Sequence, residues 1–153
     1  MLIFQHQLPD FFILANTNTL TENSDFGAIW ENFFQKGGYD PILPYATDPC
    51  PINLWHDNLY LQGFFATDVP NPPTGYELHA FEASDFLVIA SDWMDSSEQA
   101  VTEGNQLCNE FAENPPIPDG YQRSTSFIKL ERENLDTPIG SRYEVWIPIE
   151  KIC

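Results

Sequence analysis

The sequence predicts an α+β domain made of two copies of one βαββ unit, and three observations lead to this prediction. Residues 10–15 (DFFILA) are echoed by residues 85–90 (DFLVIA), 75 positions later in a chain of 153 residues. Each copy is followed by turn residues and then by a segment with the apolar spacing of a helix. Between the copies, residues 70–75 (PNPPTG) interrupt regular structure, because proline lacks the amide hydrogen that a helix or a strand ladder needs.

One helix is predicted in each half. The first has apolar side chains at positions i, i+3, i+4, i+7 and i+8, which fall on one helical face: Phe26, Ile29, Trp30, Phe33 and Phe34. Gly37 and Gly38 end it, since glycine adopts left-handed backbone angles without steric cost. In the second half, Asp95 and Glu98 have the spacing of a capping box. The apolar stripe that follows is thinner and ends before the prolines at 115 and 116: Ala100, Gly104, Leu107, Cys108 and Phe111.

Strands are predicted after each helix, at 59–67 in the first half and at 126–132 and 143–149 in the second, with weaker candidates at 42–45 and 52–55. Six to eight mainly antiparallel strands would form a curved sheet with both long helices on one face. We expect a single domain over 1–153, with repeat one at about 1–69, a linker at 70–75 and repeat two at about 76–153. A ligand cleft is expected at the pseudo-twofold seam between the repeats.

The amino-acid composition of the chain limits which classes of binding partner are expected. Six basic residues against 23 acidic ones give a net charge of −17 at pH 7, which disfavours direct contact with nucleic acid. The acidity indicates either a solvated surface or a groove that attracts cations. The three cysteines lack metal-ligand spacing and are expected to be free thiols, and no nucleophile, metal or cofactor motif occurs. Without an export signal or a membrane-spanning apolar run, a cytoplasmic location with no membrane partner is expected.

Aromatic side chains are the first candidates for a binding site, since their ring faces bind flat apolar or cationic ligands. Core packing is the alternative role for each of them. Trp55 and Trp93 stand out because both lie in polar, turn-like surroundings, where a large ring suits the mouth of a pocket. The complete set of aromatic candidates is Trp30, Trp55, Tyr60, Phe64, Phe86 and Trp93.

Two acids are candidates for contact with a cation. Glu131 lies on a predicted strand, and Glu82 occupies the repeat position of Gln7, so the two halves differ there by a charge. Strand alternation puts Ile128 and Leu130 on one face, expected under the helices, and Phe127, Lys129 and Glu131 on the other, which is the face of the expected cleft. A buried carboxylate would favour a cationic ligand, whereas a solvated surface acid is the alternative for both residues.

Three passages together resemble the GyrI-like family, the effector-binding domain found alone and at the end of AraC-type and MerR-type multidrug regulators. They are residues 29–33 (IWENF), 82–88 (EASDFLV) and 143–149 (YEVWIPI). The resemblance implies a duplicated βαββ fold with a hydrophobic cleft for lipophilic, often cationic, small molecules. It also implies a buried glutamate on the strand before the last. Glu131 matches that position with Glu133 in place of the family's aromatic residue, while counting back from the last passage would put Ile128 there.

The resemblance favours a stand-alone domain that binds or sequesters a lipophilic, cationic compound in drug sensing or resistance. One alternative is a small-molecule hydrolase of the GyrI-like type, with Glu131 as general base and Tyr60 as the group that polarises the substrate. Another is an acidic inhibitor of a DNA-binding protein, whose complex would depend on ionic strength. A protein partner or a second copy of the chain therefore stays among the expected partners.

Overall fold

A computed structural model of the chain describes residues 1–125 and 129–153. Nine strands in these ranges belong to one sheet. Their bounds are β1 (Leu2–Leu8), β2 (Phe11–Thr19), β3 (Ile52–His56), β4 (Leu59–Ala66), β5 (Glu77–Phe81), β6 (Ser84–Ala90), β7 (Tyr121–Arg123), β8 (Lys129–Thr137) and β9 (Gly140–Lys151). The helical segments are α1 (Phe26–Gln35), a 3-10 helix (Leu43–Tyr45), α2 (Ser97–Gln99), a π-helical segment (Ala100–Gly104) and α3 (Asn105–Ala112).

The order of strands shows the duplication. Across the sheet they run β1-β6-β9-β8-β3-β4-β2-β5, with β7 paired to β9 outside this path, and each of these pairings is antiparallel. The two halves meet where β3 of the first pairs with β8 of the second. From the seam outward, the first half has β3, β4 and β2, and the second half has β8, β9 and β6 in the corresponding places. The predicted α+β class with a mainly antiparallel sheet is therefore confirmed.

The outer strands are exchanged between the halves. β1 of the first half pairs with β6 of the second, and β5 of the second half pairs with β2 of the first. Each half thus supplies an edge strand to the other, which ties the two repeats together by main-chain hydrogen bonds. The strands β1, β5 and β7 were not expected from the sequence. Residues 42–45, a weak strand candidate, instead contain the 3-10 helix, in which Pro44 supplies a helix-compatible φ.

Local signals set the helix ends. The Asp25 side chain accepts a hydrogen bond from the Gly27 amide at the start of α1. At the end of α1, the Gly38 amide donates to the Phe33 carbonyl, and Gly38 has a φ of 61°. The second helix is capped by Ser96, whose hydroxyl accepts from the Gln99 amide at 3.1 Å. The expected cap at Asp95 is therefore one residue too early.

The two faces of the sheet carry separate cores. On the helix side, Cys108 of α3 packs with Val145, and Phe33 of α1 packs with Phe64. On the face opposite the helices, a third cluster contains Leu130 and Phe86 and has no helical residue among its members. None of the helices within 1–125 and 129–153 is long and apolar enough to cross a bilayer.

The side chains of β8 lie on the opposite faces of the sheet from those predicted. Glu131 pairs with Val145 and so lies on the helix side, while Leu130 belongs to the cluster on the opposite face. The alternation itself was correct, but the prediction that Leu130 would lie under the helices is wrong. Ile128, which was expected on the same face as Leu130, lies outside the described residues.

Candidate functional site

On the helix side of the sheet, over the seam of the two halves, side chains from α1, α3 and the seam strands form a contacting group that we call the furrow. We define it by an aromatic wall, an acidic floor and a single lysine. Strands β8, β3 and β4 form its base, because residues paired across these strands share a face. Its side chains are Trp30, Trp55, Tyr60, Asn109, Lys129, Glu131 and Glu133.

The aromatic wall is centred on Tyr60. Trp55 lies opposite it on β3, with ring centroids 4.6 Å apart. Trp30 and Phe26 reach it from α1, at centroid distances of 6.3 and 5.1 Å. These contacts bring residues from three elements into one continuous aromatic surface.

Much of the apolar stripe of α1 is not core. Phe33 is fully buried, but Phe26 and Phe34 are 41% and 60% exposed. Trp30 is half-buried and stacks on Phe34 at 5.8 Å. Aromatic residues at i, i+4 and i+8, the outer two exposed and the middle one half-buried, form a ridge along α1, and a partly exposed apolar ridge of this kind is typical of a binding surface.

The acidic floor consists of two glutamates at alternate positions of β8, which therefore point to the same face. Glu131 is only 4% exposed. Burial raises its pKa, and the opposing effects of Lys129 and Asn109 reduce that shift. Burial and then the charge of Glu131 raise the pKa of Glu133 to about 7. The two carboxylates thus lie in a partly buried environment, where a nearby positive charge would stabilise the ionised form of each.

Lys129 supplies the positive charge that reaches this floor. Its ammonium lies 3.1 Å from Glu131 Oε1 and donates to Asn109 Oδ1 at 2.5 Å. It also lies 4.7 Å from the centre of the Trp55 ring. A carboxylate, an amide oxygen and an aromatic face therefore surround one cation.

A row of buried polar side chains continues from Glu131 across the sheet through Asn53, Gln62 and Asn16. Asn16 Nδ2 donates to Gln62 Oε1 at 2.9 Å. Among the residues that the structure describes, Asn53 Oδ1 and Gln62 Nε2 have no hydrogen-bond partner. Buried polar atoms are usually paired, so this acceptor and this donor, on side chains that lie opposite each other on β3 and β4, are exceptions within the polar row.

Two tyrosine hydroxyls adjoin the acids. Burial raises the pKa of Tyr60, and the charges of Glu131 and Glu133 raise it further. Burial also raises the pKa of Tyr39, with Glu133 as the next contributor. Both phenols therefore stay protonated near neutral pH and can donate hydrogen bonds.

Of the eight predicted site residues, the structure brings together Trp30, Trp55, Tyr60 and Glu131. Phe64 is on the same face but lies beneath α1, 5.3 Å from the Tyr39 ring centre. Phe86 is on the face opposite the helices, packed against Trp146 at 5.3 Å.

The remaining two candidates lie at the periphery. The Trp93 ring, in the segment between β6 and α2, stacks on the Arg142 guanidinium at 4.2 Å. Glu82 is exposed in the turn between β5 and β6. No contact recorded within 1–125 and 129–153 connects either residue to the furrow.

Sequence reasoning missed Lys129, Glu133 and Asn109 as site residues. The two β8 residues could have been found, because alternation places both on the face of Glu131. Asn109 carries no such signal. Its position opposite β8 depends on how α3 packs across the sheet.

A recess of about 480 Å³ lies on the face opposite the helices and is lined by Phe11, Phe65 and Trp146, among others. Three of its charged groups pair with one another: Arg132 Nε donates to Asp48 at 2.8 Å, and Nη1 donates to Glu144 at 2.9 Å. Among the described residues, the furrow differs in having two carboxylates against one lysine, and two buried amide atoms without a hydrogen-bond partner.

No protein-family model matches the sequence, and no curated protein sequence matches it. Solved structures do match. A candidate bacterial transcription regulation protein from Staphylococcus aureus MU50 aligns with a TM-score of 0.66 at 14% identity, covering 98% of this chain and 99% of that one. SAV2435 bound to tetraphenylphosphonium aligns with a TM-score of 0.65 at 14% identity, covering 98% and 94%.

An integron cassette protein from the mobile metagenome of Vibrio cholerae also aligns, with a TM-score of 0.56 at 13% identity, covering 97% of this chain and 95% of that one. At these identities the similarity establishes the fold and leaves the ligand open.

Proposed function

We propose that this chain, which has the GyrI-like fold predicted from its sequence, is a small-molecule-binding domain whose furrow takes lipophilic, positively charged compounds. The observation that carries the proposal is the imbalance of charge at the furrow floor. Glu131 and Glu133 are both buried or partly buried there, and among the residues that the structure describes one lysine, Lys129, contacts Glu131. A buried carboxylate without a partner is costly, so a bound cation would relieve the repulsion between the two acids.

The aromatic wall would bind the lipophilic part of the ligand. Trp30, Trp55 and Tyr60 present ring faces and edges beside the carboxylates. A cation over such a ring gains about 0.5–2 kcal/mol, depending on how far it is desolvated. Apolar area and charge are thus recognised in the same place.

The structural matches give independent support. SAV2435, which shares this fold, is bound to tetraphenylphosphonium, a lipophilic cation. The overall charge of −17 would also raise the local concentration of cations around the chain. In this proposal the domain acts in the cytoplasm as a sink for such compounds, or as a sensor that a regulator partner reads.

The test is a fluorescence titration of the four tryptophans with tetraphenylphosphonium and, for comparison, with neutral triphenylphosphine oxide. We expect saturable quenching by the cation. Glu131→Gln and Glu133→Gln should each weaken cation binding roughly tenfold, about 1.4 kcal/mol, with a smaller effect on the neutral compound. Glu22→Gln is the matched control, because it removes the same charge from an exposed loop position.

Two outcomes would count against the proposal. One is the absence of saturable quenching by any lipophilic cation. The other is a loss of affinity in the glutamine variants that is equal for the charged and the neutral compound, since that would indicate a change of shape and not the loss of a charge contact.

A further inference from the structure

Lys129 occupies the place where a cationic ligand would bind. Its ammonium contacts the carboxylate of Glu131, the amide oxygen of Asn109 and the ring face of Trp55. These are the group types that recognise a cation in an aromatic pocket. The side chain belongs to β8, so it reaches this position without any loss of translational freedom.

The Asn109 oxygen is held in place for this contact. Its Nδ2 atom donates to Asn105 Oδ1 at 2.6 Å and to the Asn105 carbonyl at 3.1 Å. With the amide nitrogen engaged on its own helix, the Oδ1 atom is directed to Lys129. An oriented acceptor of this kind binds an N–H group and gives nothing comparable to a quaternary centre.

We propose that Lys129 is a tethered internal ligand, and that the furrow selects lipophilic protonated amines, which bind by displacing the Lys129 ammonium from Glu131, Asn109 and Trp55. This inference rests on the proposed function and narrows its ligand class. A primary or secondary ammonium reproduces both hydrogen bonds of the lysine and adds apolar surface for Trp30 and Tyr60. A quaternary or phosphonium cation replaces the charge and the ring contact but neither hydrogen bond.

The mutational test uses two probes, 2-(1-naphthyl)ethylammonium and its N,N,N-trimethyl derivative. In Lys129→Met the affinity for the primary ammonium should rise at least tenfold over wild type, because the competitor is gone. The trimethyl derivative should gain less. Adding Asn109→Leu should remove the preference for the primary ammonium. Lys151→Met is the control, since it removes an exposed lysine at the end of β9 with the same change of net charge.

A second measurement uses the wild-type protein and does not depend on a variant folding well. Reductive methylation followed by mass spectrometry reports how accessible each lysine is. Lys129 should react slowly in the free protein and at least threefold faster when saturated with the naphthyl ammonium. The labelling of Lys151 should not change.

Equal affinities of wild type and Lys129→Met for both probes would overturn the inference, as would labelling of Lys129 that does not respond to ligand. In that case saturable binding of tetraphenylphosphonium to wild type would still leave the proposed function standing. If no cation binds to wild type or to Lys129→Met, the proposed function fails, and the displacement inference fails with it.

Discussion

Asn53 and Glu131 lie directly opposite each other on β3 and β8, where the two halves of the sheet meet. Both side chains are buried, with 5% and 4% of their surface exposed. The first half therefore offers an amide at the seam and the second half a carboxylate. The two halves therefore differ in charge at this point of the seam.

Glu133→Gln should stabilise the free protein above neutral pH. The folded-state pKa of about 7 lies above the usual value for glutamate, so the folded protein holds this proton more tightly than the unfolded chain. Wild-type stability is therefore lost as pH rises from about 5 to 7, while the glutamine variant is unaffected by this titration. We expect a gain of about 2–3 kcal/mol at pH 8 and little difference at pH 4.5, measured by urea unfolding.

Glu22→Gln is the control for this measurement and should leave the pH profile of stability unchanged. A constant difference between Glu133→Gln and wild type from pH 4.5 to pH 8 would contradict the predicted titration. Stabilisation together with weaker cation binding would show that this carboxylate is kept for the ligand at a cost to stability.

Trp30→Ala and Trp93→Ala separate the furrow from the other aromatic candidates. Trp30 contacts Tyr60 in the furrow wall, whereas Trp93 stacks on Arg142. Trp30→Ala should weaken binding of a lipophilic cation about 2- to 30-fold, the range that corresponds to one cation–π contact. Trp93→Ala should leave the affinity within about twofold of wild type. Isothermal titration calorimetry measures both affinities. A larger loss of affinity in Trp93→Ala than in Trp30→Ala would show that the cation binds outside the furrow.

Gly63→Ala should destabilise the fold severely. An added Cβ on this β4 residue would lie 2.0 Å from the carbonyl oxygen of Leu14 and 2.7 Å from the Cα of Ala15, both on the neighbouring strand β2. Backbone atoms cannot move aside as a flexible side chain can, so we expect a loss of about 3 kcal/mol or more. Gly120→Ala is the control. Its φ of 84° makes alanine unfavourable, but nothing lies within 4 Å, so the cost should be near 1 kcal/mol.

Arg132→Met tests the ion network on the face opposite the helices. The arginine joins Asp48 and Glu144, and Glu144 also accepts from Trp146 Nε1 at 2.9 Å. Removing the guanidinium leaves two carboxylates without their cation in a mostly buried place, and we expect a loss of about 3–5 kcal/mol in chemical denaturation. Arg123→Met, at an exposed position of β7, should cost less than about 1 kcal/mol. Similar losses in the two variants would show that the network adds little to stability.

Several features of the candidate site could be predicted from sequence because their signals are local. The aromatic spacing of α1 marked Trp30, and the alternation along β8 put Glu131 and Lys129 on one face. Trp93 was proposed on equally local grounds, from its polar neighbours, and the structure places it on Arg142. A polar sequence context shows that a ring is near solvent but not which other rings lie beside it.

The sequence by itself determined the two helices and the period of the strands predicted from it, because these depend on contacts between residues a few positions apart. Only the tertiary structure decided which face of β8 meets the helices, since a period of two is the same from either side of a sheet. The exchange of edge strands and the meeting of Lys129 with Asn109 and Trp55 also join residues far apart in the chain. Such contacts depend on packing over the whole sheet, which no local pattern encodes.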